Sequence, residues 1–191
     1  MMFHIDGLEH DQLHTLHPVC ADVLRYWQHR AEDVGGIPKL ADIDLMELWQ
    51  HAGHIYICDA ETGPETDGMR LRWRYAGSML HELTGLELTG RYVDEVFPAG
   101  DEVIAVKEYV VRSGNLHIWK RSVQNTTQDW DPVPYECLSM PLQNDGGSIG
   151  HILGIVTWPD AGPNLHHRGR RNSQPTQAGT LVSHPGRLSR H

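Results

Sequence analysis

The sequence predicts an α+β fold: a five-stranded antiparallel sheet with short helices on one face and an additional N-terminal helix. Five segments have the length and apolar content of strands, and three short helical segments separate the second strand from the third. The other consecutive strands are joined by turns or a loop, which favours antiparallel pairing. The chain has 191 residues, enough for one domain with tails.

We divide the chain into an N-terminal extension (1–18), a folded domain (19–160) and a tail (161–191). The tail is rich in Gly, Pro, Ser, Asn and His, so it is predicted to be disordered. It holds five arginines and no acid, whereas the other 160 residues hold 11 basic and 25 acidic residues. An acidic domain disfavours nucleic acid and anionic membranes as partners. No apolar run is long enough to predict a transmembrane helix.

The first helix is predicted over residues 19–31, where apolar residues recur at about helical spacing, and Gly35 and Gly36 end it. The apolar stripe consists of Val19, Val23, Leu24, Tyr26 and Trp27. Because this stripe is larger than one small sheet needs as cover, we expect it at a homodimer or partner interface. A short helix is predicted next, from Asp42 through Trp49.

The clearest strand is residues 70–75, where apolar and basic side chains alternate strictly. The apolar members are Leu71, Trp73 and Tyr75, which are predicted to share one buried face. The basic members are Arg70, Arg72 and Arg74. This basic row is interpreted either as a site for an anionic ligand or acidic partner, or as an ordinary solvated face paired with acids. Residues 54–59 form the preceding strand.

Helical segments are predicted at 79–83, 91–97 and 101–111. The three final strands are predicted at 116–123, 133–142 and 148–158, and a turn of Asn144-Asp145-Gly146-Gly147 joins the last two.

Short motifs then occur in order over about residues 20–158. They are Leu24-Arg25-Tyr26-Trp27, Ile37-Pro38, Asp42-Ile43-Asp44, Arg72-Trp73-Arg74-Tyr75-Ala76-Gly77, Leu88-Thr89-Gly90-Arg91, Tyr135-Glu136, Leu142, Asp145-Gly146-Gly147 and Ile152-Leu153-Gly154. This set, with the order of elements, resembles the single-domain PAS proteins of alphaproteobacteria. The resemblance implies a cytoplasmic sensory or regulatory domain that binds a small ligand or a signalling protein, such as a histidine kinase. Such a domain acts by protein–protein contact, and many dimerise through an N-terminal helix.

The resemblance also implies a ligand pocket between the sheet and the short helices. Candidate pocket residues are Trp73, Tyr75, His81, Tyr92, Phe97, Ile118, Tyr135 and Ile152. Ligand pockets are mostly apolar, but the same side chains could equally be plain core packing.

No cofactor is assigned from the sequence. A flavin photosensor of this kind carries a reactive cysteine in an Asn-Cys-Arg-Phe-Leu-like stretch, which is absent here. Haem needs an axial ligand, for which His81 is the best candidate. His10, His14 and His17 would share one helix face and could hold zinc or nickel, or be a chance cluster among 14 histidines. The three cysteines stand far apart, which indicates a reducing compartment.

No catalytic set is recognised, so we expect a protein that is not an enzyme. His81-Glu82 lacks the second histidine of a zinc-protease motif, and the glycine-rich turn lacks the Lys-Ser/Thr of a phosphate-binding loop. The alternative is a small cone-shaped α+β enzyme of the isomerase or dehydratase type. In it, an apolar pocket with Tyr75 and His81 would perform acid–base chemistry.

Overall fold

The computed structural model describes residues 5–6, 15–62, 68–97, 102–125, 133–158 and 181–185. The helices are α1 (Pro18–Val34), α2 (Ser78–Thr84) and α3 (Glu102–Ser113). The strands are β1 (Ile5–Asp6), β2 (Ile55–Thr62), β3 (Met69–Ala76), β4 (Leu116–Asn125), β5 (Val133–Gln143), β6 (Ile149–Thr157) and β7 (Leu181–Pro185). Short 3₁₀ turns occupy Leu40–Asp42, Trp49–His54 and Val93–Glu95. None of the described helices is long and apolar enough to cross a membrane.

Strands β2 to β6 form the predicted antiparallel five-stranded sheet, in the spatial order β4-β5-β6-β2-β3. The outer side of β4 also pairs with β1, in parallel, and with β7, antiparallel. The predicted α+β class and the order of the main elements are therefore confirmed.

The sheet is covered by helices on both faces. Along β2, Tyr56 and Cys58 belong to a core cluster with residues of α2 and α3, while Ile55 and Ile57 belong to a cluster with α1. Successive side chains of a strand point to opposite faces, so α1 lies on the face opposite α2 and α3. The buried strands therefore contain apolar residues on both faces.

Helix α1 begins where the His17 side chain accepts a hydrogen bond from the Val19 amide at 3.2 Å, and Pro18 occupies the first turn. It ends at Gly35, whose φ of 68° is the left-handed conformation that glycine adopts without strain. The Trp27 indole N–H donates to the Pro141 carbonyl of β5 at 3.1 Å.

The apolar stripe of α1 packs against the chain's own sheet, which differs from the predicted dimer or partner interface. Val23, Leu24 and Trp27 are 0%, 4% and 0% exposed. Val19 and Tyr26 are half-buried and pack against the same cluster. The prediction assumed that helices cover one sheet face only, but a second face needs cover and the stripe provides it.

Tyr75 does not share a face with Leu71 and Trp73, contrary to the prediction. Ile57 pairs with Tyr75 but the next residue, Cys58, pairs with Trp73, so β3 contains one extra residue at Arg74. Such a bulge shifts the alternation by one residue, and Tyr75 packs in the α1 cluster.

The predicted short helix from Asp42 through Trp49 is replaced by turns. The Asp44 carboxylate accepts a hydrogen bond from the Met46 amide two residues later, at 2.8 Å. Local bonds of this kind compete with helix formation. The segment predicted at 91–97 is likewise reduced to the 3₁₀ turn at Val93–Glu95.

Most of the tail predicted to be disordered, 161–191, lies outside the described residues, as do His10 and His14 of the candidate metal cluster. For Leu181–Pro185 the structure differs from the prediction, because this segment pairs with β4 from Arg121 to Asn125. Backbone hydrogen bonds to a sheet edge stabilise a strand without needing a large apolar surface.

Candidate functional site

A cavity of about 50 Å³ lies between the sheet and helices α2 and α3. Its walls come from all five main strands, both helices and the connection between those helices. The lining residues are Tyr56, Trp73, Leu80, Thr84, Leu88, Phe97, Val103, Lys107, Trp119, Tyr135, Cys137 and Val156. The wall is thus largely apolar and aromatic, with one charged side chain.

That charged side chain is Lys107 of α3, which is 2% exposed. The inward face of α3 consists of Val103, Lys107 and Val110, at spacings of four and three residues, so helical geometry carries the lysine into the core. Its Nζ donates to the Tyr56 hydroxyl at 2.7 Å and lies 3.9 Å from the centroid of the Tyr56 ring. It also lies 5.3 Å from the Trp73 ring centroid.

Tyr56 connects the lysine to the opposite wall of the cavity. Its hydroxyl shares hydrogen bonds with Ser139 Oγ at 2.8 Å and Cys137 Sγ at 3.5 Å, both on β5. Burial raises the pKa of Tyr56 well above its usual value, so the side chain stays a neutral phenol. Because the phenol oxygen accepts from Lys107, its proton is available to Ser139 or Cys137.

Gly154 of β6 makes room for the Tyr56 ring. A Cβ atom at this position would lie 1.8 Å from Cζ of Tyr56 and 2.2 and 2.3 Å from the two Cε atoms of the ring. The absence of a side chain therefore leaves room for the ring against β6, with its hydroxyl bonded to Lys107 and Ser139.

Two tryptophans of the cavity wall carry unpartnered polar atoms. The indole nitrogens of Trp73 and Trp119 are buried and have no hydrogen-bond partner within the described part of the chain. Both side chains line the cavity. An indole N–H can only donate, as can an ammonium group, so these three side chains offer donors and no acceptor.

Three of the eight residues predicted for the pocket line this cavity: Trp73, Phe97 and Tyr135. Ile152 belongs to the same core cluster but is not in the cavity wall. Ile118 and Tyr75 lie on the opposite sheet face. These two differ from the prediction for reasons that the sequence does not show. When helices cover both faces of a sheet, both sets of alternating side chains are apolar, so the sequence does not tell which set faces the cavity. The bulge in β3 is not visible either.

His81 and Tyr92 also lie away from the cavity. His81 is exposed, since it follows the inward-facing Leu80 by one residue and is turned about 100° from it around α2. The Tyr92 hydroxyl donates to Glu61 at 3.0 Å, outside the cavity wall. The exposed His81 thereby loses its basis as an axial haem ligand.

Sequence reasoning missed Lys107, Tyr56 and Trp119. Val103 and Val110 flank Lys107 at helical spacing. That apolar flanking on the same helix face is the signal that could have found it.

The basic row of β3 is paired with acids. Arg70 forms two hydrogen bonds with Asp94, at 3.0 and 2.8 Å. Arg72 pairs with Glu61 and Arg74 with Asp59, each at 2.7 Å. Of the two interpretations from the sequence, the structure agrees with the paired, solvated face. Within the described residues, no group of three or more His, Cys, Asp or Glu side chains could hold a metal ion.

The thiols predict a specific pH dependence of stability. Cys20 and Cys58 are free and buried, and burial raises the pKa of both, that of Cys58 to about 12. Above about pH 9 the unfolded chain therefore loses thiol protons that the folded chain keeps. The free energy of unfolding should then fall by about 1.4 kcal/mol per pH unit for each thiol.

Urea unfolding at pH 8, 9, 10 and 10.5 measures this slope. We expect the free energy of unfolding of the Cys58→Ala variant to fall less steeply with pH than that of the wild-type chain. The difference between the two slopes should equal the contribution of one thiol. Equal slopes in the two proteins would show that Cys58 does not keep its proton in the folded chain.

Comparison with known proteins adds a family match. A family model described as a PAS domain matches residues 15–157. None of the curated proteins matches the sequence at a significant level.

Similar solved structures include a fungal LOV domain photoreceptor, with 14% identity and a TM-score of 0.40, covering 63% of this chain and 94% of that one. The dark structure of the blue-light photoreceptor Aureochrome1 LOV shows 17% identity and a TM-score of 0.43, covering 62% and 85%. A LOV protein of Rhodobacter sphaeroides shows 12% identity and a TM-score of 0.38, covering 64% and 72%. These likenesses assign neither a ligand nor an activity to this chain.

Proposed function

This chain belongs to the PAS domain family, and we propose from that membership that it is a sensory or regulatory module. Its ligand would be a small molecule bound in the cavity between the sheet and helices α2 and α3. The observation that carries the proposal is the cavity itself, which is apolar with a few converging polar groups around Lys107. Such sites are typical of small-molecule binding.

The proposed output is protein–protein contact in the cytoplasm. A ligand that favours one conformation of α2 or α3 would shift the surface that a signalling protein, such as a histidine kinase, or a second copy of the chain contacts. The acid–base alternative finds less support, because Tyr75 and His81 lie apart: Tyr75 packs on the α1 face and His81 is exposed.

Native mass spectrometry of the full chain, purified from the expressing cells under non-denaturing conditions, tests the proposal. We expect a non-covalent adduct that disappears on denaturation, and the same spectra report whether the chain is a monomer or a dimer. The Val103→Phe variant should lack the adduct, because the ring would occupy the cavity. Ala105→Phe places the same ring on the exposed side of α3 and should keep it.

A wild-type chain that carries no adduct would contradict ligand binding. It would favour a docking module whose partner is a protein. An adduct retained equally by Val103→Phe and Ala105→Phe would show that the ligand binds elsewhere on the molecule.

A further inference from the structure

We infer that the cavity selects a small organic carboxylate, and that Lys107 is the residue that selects it. This inference rests on the proposed ligand-binding function and adds the chemical class of the ligand. It follows from the charge of the cavity, from its hydrogen-bonding character and from its size.

The first argument is the charge of Lys107. Within the described residues no carboxylate forms an ion pair with its ammonium group, whose one hydrogen-bond partner there is the neutral Tyr56 hydroxyl. Burying an ammonium group without a counter-ion is unfavourable. A bound anion would supply the missing charge, and two of the three ammonium N–H groups remain to meet its two oxygens.

The second argument is the excess of donors. The two unpartnered indole nitrogens, of Trp73 and Trp119, belong to side chains of the same wall as Lys107. A ligand that brings acceptors alone can pair with these donors, whereas an amine brings further donors and leaves the indole N–H groups unpaired. A carboxylate has acceptors only, and it also carries the charge that the lysine lacks.

The third argument is size. A volume of about 50 Å³ is about a third of the roughly 150 Å³ of a protein cavity that admits benzene. A carboxylate group with one or two further carbons is the largest anion of that order. Leu80, Leu88 and Val156 provide the apolar wall for those carbons. Longer chains would have to displace α2 or α3 from the sheet.

The test is a titration of the full chain with matched probes. Acetate, propionate and butyrate are compared with acetamide, propionamide and butyramide in a carboxylate-free buffer. The readouts are tryptophan fluorescence, because Trp73 and Trp119 line the cavity, and the ligand-induced change in Tm. We expect acetate and propionate each to bind about 10- to 100-fold more tightly than the matching amide, the value of hydrogen bonds to a charged group. Butyrate, one carbon longer than the cavity takes, should bind more weakly than propionate.

Variants assign that preference to the lysine. Lys107→Met keeps the length of the side chain and removes the charge, and it should bind carboxylate and amide equally. Lys39→Met removes an exposed lysine and should keep the wild-type preference. Near-ultraviolet circular dichroism shows whether each variant is folded, and the wild-type comparison of acid with amide decides the ligand class without any variant.

Each outcome has a distinct meaning. Equal affinity of the wild-type chain for acids and amides overturns the inference but leaves the ligand-binding proposal standing. A preference that survives in Lys107→Met overturns the role of the lysine. If neither probe binds while mass spectrometry shows a native adduct, the inference fails and the proposed function holds. If neither probe binds and mass spectrometry shows no adduct, the inference and the proposed function both fail.

Discussion

Replacing Gly154 with alanine is expected to destabilise the folded chain by about 3 kcal/mol or more, and to disrupt the cavity as well. The new Cβ would overlap the Tyr56 ring, at 1.8 Å from Cζ. The ring is 1% exposed and its hydroxyl is held by Lys107 and Ser139, so it could move only into the cavity and only by breaking these hydrogen bonds. Urea unfolding gives the stability, and probe titration gives the binding.

The matched control is Gly36→Ala. Gly36 follows α1, its φ is not positive, and no atom lies within 4 Å of the position that a Cβ would take. Its effect should stay within about 0.5 kcal/mol. If Gly154→Ala were as mild as this control, the close packing of Tyr56 against β6 would not exist in solution.

Replacing Trp27 with alanine is expected to cost about 3–5 kcal/mol, the usual range for removal of a fully buried large aromatic side chain. Trp27 is 0% exposed between α1 and the sheet, and its indole N–H donates to the Pro141 carbonyl. The variant loses this packing and leaves a buried acceptor without its donor. The loss of stability is measured as the shift in the midpoint of urea unfolding between the wild-type chain and the variant, provided that the dependence of the unfolding free energy on urea concentration is the same in both.

Trp49→Ala is the control for that measurement, because Trp49 is 66% exposed and its removal should change stability little. The pair separates the two roles considered for the α1 stripe. If α1 were an interface helix, Trp27→Ala would weaken dimerisation and leave the stability of the isolated chain nearly unchanged.

The order and class of the elements could be predicted because they depend on local patterns. The alternation in residues 70–75 and the turn at Asn144–Gly147 are visible within a few residues of sequence. The face on which α1 packs could not be predicted, since an apolar stripe is the same whether it covers the chain's own sheet or a partner. The bulge at Arg74 was also invisible, and it moved Tyr75 to the other face.

For the cavity, the sequence indicated only its place between the sheet and the short helices and some of the aromatic residues in its wall. Trp73, Phe97 and Tyr135 lie in its wall, because large apolar residues near the short helices are buried there. Lys107 and Tyr56 were missed for a physical reason. A buried lysine is stabilised by tertiary contacts with a ring and a hydroxyl more than 50 positions away in the sequence, which no local pattern contains.

The pairing at the margins of the sheet affects how another protein can join it. The outer side of β4 is occupied at Leu116 and His117 by β1, and from Arg121 to Asn125 by β7. On the opposite margin, Trp73 of β3 exchanges backbone hydrogen bonds with Gly90 and Arg91, at 2.7 and 2.9 Å. Unpaired margins are where foreign strands add and where sheets aggregate edge to edge. Over these stretches β-augmentation would require a partner to displace the chain's own backbone, so recruitment through side-chain surfaces is favoured.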